Sequence, residues 1–299
     1  MCPLLQARSP DRPYTWTTEC TPWVLVLTAS KISTIFRLHE YDKGIAKAVT
    51  DFIYLHLLGE PLSHPQLGAF LECAGKASVG VGITTNGSLL GEVGDVLLHP
   101  SLQRLNLSLH SADSTAECVT LLHEIRGVVQ KRPDLEIHLR LWNTDNRGDL
   151  LADPLHRCVV EYLEEQYGVT IEKLYTPGRV HSRNVVGALQ LHLESPFHWP
   201  GEVAGVDERF GTCLGFHTHC AVLADGTVVP CCLDNNGAVS LGNIFTVSFS
   251  KILSSPRARA LRGGFSRGEM IEPLCRSCTY ARDNFSHKAV VQRQIMKDK

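Results

Sequence analysis

The sequence predicts an α/β protein in which a full or partial barrel of parallel strands precedes a small cysteine-rich module. Short apolar segments alternate with amphipathic helical segments between residues 53 and 174. This alternation is typical of parallel sheets built from right-handed βαβ units. Polar residues also interrupt several strands at every second position, and six of the eleven cysteines lie between residues 213 and 278.

The chain divides into three predicted parts. Residues 1–22 contain four prolines and no apolar periodicity, so an irregular leader is expected. Residues 23–200 are expected to form the barrel-like domain, and residues 201–299 the cysteine-rich module with a terminal helix at 286–297. The boundary is predicted between about 195 and 212, because the regular alternation ends beyond Gly178 and a long connection follows.

Hydrophobic periodicity predicts the regular elements of both domains. Strands are predicted at residues 23–27, 53–58, 79–84, 102–109, 135–142 and 169–174. Helices are predicted at residues 42–52, 65–76, 89–98, 114–129, 154–167 and 248–261, the last with an interruption near Pro256. A β-hairpin is predicted at residues 221–229, with its turn at 224–226, where Asp225 is interpreted as a turn residue.

Polar residues at alternate positions distinguish these strands from those of an ordinary covered sheet. The alternating residues are Asn106, Ser108 and His110 in one strand and His138 and Arg140 in the next, with His56 and His192 repeating the pattern. A parallel sheet covered by helices on both faces would not tolerate this pattern. A barrel would, because its lumen can hold polar groups that receive a ligand. The alternative is a set of edge strands with one wetted face.

Composition and charge exclude several classes of protein. The formal charge is -2 and the pI is about 6.7, which gives no electrostatic footprint for nucleic acid or for an anionic membrane. The longest apolar run, at residues 23–27, is too short to span a bilayer, and no secretion signal is recognised. A cytoplasmic protein is therefore expected, with cysteines that are thiols or metal ligands rather than disulfides.

Four cysteines have the spacing of a metal site. Cys213 stands alone, Cys231 ends the predicted hairpin, and Cys275 and Cys278 form a CxxC pair. A CxxC turn brings two sulfurs to one centre, and the other two cysteines complete a tetrahedral sulfur site. Two further thiols, Cys220 and Cys232, are expected near the site, and either could replace Cys213 or Cys231 as a ligand.

Several short motifs follow one another in a familiar order. Gly59-Glu-Pro61 follows one strand, Thr84-Thr-Asn-Gly87 the next, and Asn106-Leu-Ser-Leu-His-Ser111 the third. Asp225 to Asp234 and Leu241-Gly-Asn-Ile244 then lie between Cys213 and the CxxC pair. Each motif alone is weak. Together, over roughly residues 50–285, they resemble a radical S-adenosylmethionine (radical SAM) protein with a SPASM or twitch-type C-terminal domain.

The resemblance implies a partial (β/α)6 TIM-like barrel that binds S-adenosylmethionine (SAM). In that family a GGEP-like motif contacts the methionyl amine, and polar residues ending the fourth and fifth strands contact the carboxylate and ribose. The residues implied here are Gly59, Glu60, Pro61, Ser108, His110 and Arg140, with Asn143 as a further candidate. Leu58 stands where the family has its first glycine.

The resemblance also implies a metal cofactor in the C-terminal module. Family members bind auxiliary [4Fe-4S] clusters there, and Cys213, Cys231, Cys275 and Cys278 match the ligands of one such cluster. The further cysteine group of a two-cluster module does not follow Cys278 in this sequence. One [4Fe-4S] auxiliary cluster and a shortened module are therefore expected.

The sequence departs from the family just after the first predicted strand. Radical SAM enzymes hold their catalytic cluster there on CxxxCxxC, whereas residues 28–36 contain no cysteine. Three thiolates are needed to hold a cluster with an open iron, so this chain is not expected to cleave SAM reductively, and SAM itself is a doubtful ligand. Two explanations stay open: a shortened product of a radical SAM gene, or a protein that lost the radical chemistry.

Three functional hypotheses follow. The first is an iron-sulfur protein related to enzymes that modify peptides or proteins, with a peptide or protein as its partner. The second is a non-catalytic cluster- or zinc-bearing module that binds a peptide, because four thiolates also suit zinc. The third is a redox-active thiol pair at Cys231 and Cys232. Hydrolase and kinase motifs are not found in the sequence.

Overall fold

The computed structural model describes residues 24–28, 50–144, 150–171, 181–194, 196 and 198–285, with the backbone alone for residues 24–28, 150 and 181. The chain forms two compact units. The first combines residues 1–53 with 197–299, and the second spans residues 54–196. The predicted leader, most of the predicted helix at 42–52 and the predicted terminal helix lie outside the described residues.

The strands and helices are introduced here in chain order. The strands are β1 (Val24–Thr28), β2 (Phe52–His56), β3 (Gly80–Thr85), β4 (Leu102–Ser108), β5 (Glu136–Leu141), β6 (His181–Val186), β7 (Leu189–Leu193), β8 (His219–Val222), β9 (Thr227–Val229) and β10 (Gly242–Asn243). The α-helices are α1 (Leu67–Lys76), α2 (Thr115–Lys131), α3 (Pro154–Tyr167), α4 (Phe249–Leu253), α5 (Pro256–Arg267) and α6 (Pro273–Arg276). Short 3-10 turns occur at Pro61–Ser63, Gly94–Leu98, Leu109–Ser111 and Leu150–Ala152.

The second unit is built on six strands in the order β2-β3-β4-β5-β7-β6. The pairs β3–β4, β4–β5 and β5–β7 are parallel, and β6 is antiparallel to β7. Helices α1 to α3 bury one apolar face each, as the 3.6-residue periodicity predicts. The α/β fold class is thereby confirmed, and this mostly parallel sheet is consistent with a partial (β/α)6 barrel.

At the end of this unit, the strand predicted at 169–174 is wrong over its described residues, and one strand was not predicted. Val169 to Ile171 form no strand, and β7 takes the place beside β5. Regular structure also continues beyond Gly178, where β6 forms a hairpin with β7. The exposed side chains of Arg183 and Asn184 explain the error, because an antiparallel edge strand keeps its polar residues in water and lacks an apolar signal.

The alternating polar residues lie on one face of the six-stranded sheet. The register pairs Arg104 with Glu136, Asn106 with His138, and Arg140 with both Ser108 and His192. Of these, Arg104, Asn106, His138, Arg140 and His192 are buried. Leucines at the intervening positions of β4 and β5 form the apolar core of the opposite face. Polar residues, most of them buried, therefore share one face of β4, β5 and β7.

The first unit contains the predicted hairpin. β8 and β9 are antiparallel, β10 pairs with β9, and β1 runs parallel to β8. At the turn, the Asp225 carboxylate accepts a hydrogen bond of 2.9 Å from the Thr227 N–H. Gly226 has φ of +87°, and a Cβ there would lie 2.6 Å from the Phe245 ring, so only glycine fits. The interpretation of Asp225 as a turn residue is confirmed.

The helical part of the first unit begins at α4 and ends at α6. The chain breaks between α4 and α5 at Pro256, where the sequence predicts an interruption, and the Ser255 hydroxyl caps α5 by accepting from the Ala258 N–H. α6 is a single turn that carries the first cysteine of the CxxC pair. Within the described residues, no helix has the length and apolarity needed to cross a membrane.

Candidate metal centre

Five cysteines line one cavity in the first unit. They are Cys213, Cys231, Cys232, Cys275 and Cys278, and the cavity volume is about 40 Å³. The rest of the lining is mainly apolar and includes Leu214, Leu274 and Phe285. The four cysteines that the sequence predicts as ligands are thus brought together from three separate segments of the chain.

A tight turn positions Cys213. The Gly215 N–H donates to the Cys213 Sγ at 3.3 Å, and the Phe216 N–H donates to the Pro230 carbonyl at 3.0 Å. Phe216 adopts a φ of +57°, which turns the segment back toward the end of the hairpin. A Cβ on Gly215 would lie 3.4 Å from the Cys231 Cβ and 3.5 Å from the Cys213 Sγ. Both distances are ordinary van der Waals contacts, so Gly215 lies directly beside both cysteines.

The hairpin and a buried carboxylate position Cys231 and Cys232. These residues follow β9, and the Asp234 N–H closes a turn on the Cys231 carbonyl at 3.2 Å. The Asp234 carboxylate is fully buried and accepts hydrogen bonds of 2.8 Å from the Ala238 and Val239 N–H groups. The turn that carries both cysteines is thus fixed at each end.

A helical turn holds the CxxC pair. The Cys278 N–H donates to the Cys275 carbonyl at 3.3 Å, and the Ala281 N–H donates to the Cys278 Sγ at 3.4 Å. Arg257 of α5 holds Glu272, the residue before α6, through two hydrogen bonds of 2.8 and 2.9 Å. The ion pair anchors the start of the turn, so the two sulfurs are held on the same side as a local motif predicts.

The surroundings of these thiols oppose a negative charge. Burial, with smaller contributions from neighbouring thiols, raises the pKa of Cys213 to about 12 and raises the pKa of Cys231, Cys275 and Cys278. Without a cation the thiols stay protonated at neutral pH. A metal centre would replace the protons and compensate the charge of several adjacent thiolates.

The donor set fits an iron-sulfur cluster. Cysteine thiolates in an apolar lining are the usual ligands of such clusters and are also ligands of zinc. Among the described residues, no three His, Cys, Asp or Glu side chains are arranged to hold a single metal ion. The four cysteines of a [4Fe-4S] cluster bind four different irons, so the geometry of a single-ion site does not describe them.

The sequence leaves open which of the two additional thiols, Cys220 or Cys232, could act as a ligand, and the structure distinguishes between them. Cys232 is 4% exposed and lines the cavity, whereas Cys220 is fully buried and does not line it. The preceding residue on β8, His219, does line the cavity. Because successive side chains of a strand point to opposite sides, Cys220 points away. His219 was not among the candidate residues predicted from the sequence. Its pKa is lowered to about 4 by burial.

The second unit contains the residues that the family resemblance links to SAM. The Glu60 carboxylate accepts hydrogen bonds of 3.0 Å from the N–H groups of Leu62 and Asn86, which ties the Gly59–Pro61 loop to the turn after β3. Gly59 has φ of +86°, a conformation that favours glycine, and Pro61 begins a 3-10 turn. These residues thus form one ordered corner at the ends of β2 and β3.

Ser108, His110 and Arg140 lie near each other at the ends of β4 and β5. The His110 Nδ1 donates to the Arg140 carbonyl at 3.1 Å, and its ring is parallel to Trp142 with centroids 6.1 Å apart. The Arg140 guanidinium lies 4.5 Å from the centre of the same indole ring. Asn143 is engaged elsewhere, because its Oδ1 accepts from the His156 Nε2 of α3 at 2.7 Å.

Glu194, at the end of β7, was not among the candidate site residues predicted from the sequence. The register pairs Arg140 with His192, and alternation places Glu194 on the same face, beside Trp142. Burial raises the pKa of its carboxyl to about 7, and its Oε2 is buried and has no hydrogen-bond partner among the residues that the structure describes. Extending the alternation one step beyond His192 would have found it.

Deeper in the same face, the polar residues satisfy one another. Arg104 donates to Glu136 from Nε at 2.8 Å and to the Tyr54 hydroxyl at 2.6 Å. His138 donates to Glu136 at 2.7 Å and stacks on His192 with ring centroids 4.2 Å apart. We call these five residues the polar network.

The comparisons with known proteins concern both units. The sequence model of the SPASM family, described as an iron-sulfur cluster-binding domain, matches residues 213–279. No curated protein sequence matches the chain. Solved structures similar to it include BtrN in complex with AdoMet and 2-DOIA, at 15% identity over 87% of this chain and 93% of that chain, with a TM-score of 0.48.

Structures of Streptococcus suis SuiB are also similar. SuiB bound to S-adenosylmethionine is 14% identical over 81% of this chain and 68% of that chain, with a TM-score of 0.41. SuiB bound to its precursor peptide SuiA is 12% identical over 81% and 66%, with a TM-score of 0.39. The matched segment of this chain begins at Cys213 and includes all five cysteines of the cavity. Residues 213–279 are thus similar to the SPASM family of iron-sulfur cluster-binding domains.

Proposed function

We propose that this chain is an iron-sulfur protein related to radical SAM enzymes that modify peptides or proteins. Its C-terminal module holds one [4Fe-4S] cluster through Cys213, Cys231, Cys275 and Cys278. The observation that carries the proposal is the convergence of these cysteines on one cavity within the matched SPASM domain. A bound cluster supplies one-electron chemistry.

The second unit is proposed to retain part of a SAM-binding scaffold. Gly59, Glu60 and Pro61 would present backbone groups at the end of β2, while Ser108, His110 and Arg140 would present polar groups at the ends of β4 and β5. The ordered corner at Glu60 and the packing of His110 and Arg140 around Trp142 support this assignment. Ligands of α/β proteins commonly bind at the carboxyl ends of parallel strands.

We further propose that the chain does not cleave SAM reductively. The segment that follows β1, at residues 29–36, contains no cysteine, so the three thiolates of a catalytic cluster are not supplied there. The proposed role is then to bind a peptide or protein partner in the cytoplasm, with the module that follows residue 200 holding the auxiliary cluster.

Anaerobic reconstitution with iron and sulfide, followed by metal analysis, tests the cluster. The proposal predicts about four iron and four sulfide per chain. Zinc without sulfide in protein purified without oxygen would favour the second candidate, a zinc-bearing binding module, which the all-cysteine donor set also suits. Incubating the reconstituted protein with SAM and a strong reductant tests the rest, since 5′-deoxyadenosine should not form.

A further inference from the structure

We propose that Cys232 is a reserve ligand of the cluster, able to take the place of Cys231. This inference rests on the proposed function, because it concerns a fifth thiol beside a centre that needs four. Cys232 lines the same cavity as the four assigned ligands and is almost fully buried. The sequence leaves Cys220 and Cys232 as equal candidates for a substitute ligand, and only Cys232 lines the cavity.

The local backbone allows one thiol to substitute for the other. Consecutive residues of an extended strand would point to opposite sides, but Cys231 and Cys232 lie in the turn closed by the Asp234 N–H, and both reach the cavity. The turn is fixed upstream where Pro230 accepts from the Phe216 N–H and downstream by the buried Asp234 carboxylate. Because both side chains already line the cavity, the Cys232 thiol is available to the proposed centre without a rearrangement of the hydrogen bonds that fix the turn.

Cys220 provides a matched control for this placement. It belongs to the hairpin that precedes Cys232 and is also buried, but it does not line the cavity. The two thiols therefore differ in their access to the proposed centre rather than in their burial.

The exchange needs no oxidant or reductant. With a cluster bound, Cys232 would replace Cys231 on one iron, so one iron–sulfur bond would break and one would form. The Cys232 thiol would give up its proton and the released Cys231 thiolate would take one up, so the number of bound protons and the oxidation state of the cluster would be unchanged.

The test compares the full-length chain with the variants C231A, C232A, C231A/C232A, C213A and C220A after anaerobic reconstitution. Iron and sulfide content and the electron paramagnetic resonance (EPR) spectrum of the reduced protein are measured. C220A and C232A should retain the wild-type cluster. C231A should retain more than about half of the iron with a shifted spectrum, whereas C213A and the double variant, in which one iron lacks its protein ligand, should retain clearly less iron than C231A.

Loss of the cluster from C231A, to the level of the double variant, would overturn the inference while leaving the wild-type cluster intact. Absence of a cluster from the wild type would instead overturn the proposed function, and the inference with it. If C231A fails to fold, C231S, which keeps the shape of the side chain, replaces it. A cluster in C231S that disappears in C231S/C232A supports the reserve ligand, and one that persists unchanged contradicts it.

Discussion

The cysteine cavity and the polar network are both sets of buried reactive side chains, but their charges are compensated differently. Five thiols line the cavity, and none of the lining residues in the described part of the chain is an arginine or a lysine. In the polar network, Arg104 compensates Glu136, and His138 donates to the same carboxylate. The first set therefore depends on an added metal centre to become charged, whereas the second is complete within the fold. The cysteine cavity should therefore respond mainly to the loss of metal, and the polar network mainly to changes in pH.

The largest effect is expected at the CxxC pair. The double substitution C275A/C278A removes two of four ligands from the cavity, so the reconstituted protein should lose nearly all of its approximately four irons per chain. The matched control is C220A, because Cys220 is buried in the same unit but does not line the cavity. If C275A/C278A retained as much iron as C220A, the prediction that Cys275 and Cys278 are cluster ligands would be contradicted.

The next effect is expected in the polar network. Substituting Arg104 with Met removes the donor to the Tyr54 hydroxyl and leaves Glu136 with His138 as its donor. Removing one partner of a buried ion pair is strongly destabilising. Because the Glu136 side chain is 32% exposed, we expect a loss of about 2–3 kcal/mol in the free energy of unfolding. Denaturant titration measures it. R282M, which breaks the exposed pair with Asp283, should cost at most about 0.5 kcal/mol.

Acid should weaken the polar network before it affects the thiols. Burial lowers the pKa of His192 to about 3 and lowers that of His138, so the unfolded chain, with histidines near 6.5, binds protons more readily. This contribution to stability is complete above pH 6.5 and is lost as the pH falls toward 3, by at most about 1.4 kcal/mol per pH unit for each histidine.

Glu136 adds to the loss at lower pH. Burial acts to raise its pKa, but hydrogen bonds from His138 and Arg104 hold it at about 2, below the ordinary 4.5, so stability is also lost as the pH falls below 4.5.

The contribution of the histidines is tested at higher pH. Denaturant midpoints measured between pH 7.5 and 5 should fall in the wild type and fall less in H192Q. The exposed His198 gives the control H198Q, which should follow the wild type. An unchanged wild-type midpoint over this range would contradict the expectation.

The smallest effect is expected at the corner formed by Glu60. Gln in its place keeps one acceptor oxygen for two N–H donors, so one of the hydrogen bonds to Leu62 and Asn86 is lost. The free energy of unfolding should fall by about 1–2 kcal/mol. The exposed Glu92 provides the control E92Q. A stability equal to that of E92Q would show that the corner does not depend on this carboxylate.

Local signals predicted most of what the structure shows. The CxxC turn, the Asp225–Gly226 hairpin and the break at Pro256 are each determined by a few neighbouring residues, and all three are confirmed. The polar face of the sheet followed from strict alternation, which fixes the side to which each residue points. These features need no knowledge of distant contacts.

The features that could not be predicted from the sequence depend on contacts between distant segments or on solvent exposure. The sequence alone does not distinguish Cys220 from Cys232 as a ligand. Only the packing of β8 and the turn after β9 shows that Cys232 reaches the cavity. β6 was missed because an exposed edge strand has no apolar pattern. Glu194 was missed because its burial at the end of β7 is set by neighbouring strands rather than by its own segment.

The most direct test of the account is native mass spectrometry of the anaerobically reconstituted chain. The account predicts one dominant species whose mass exceeds that of the polypeptide by one cluster of about four irons and four sulfides. A dominant species without added mass, or with the mass of a single zinc ion, would contradict the claim that the cysteine cavity is an iron-sulfur site.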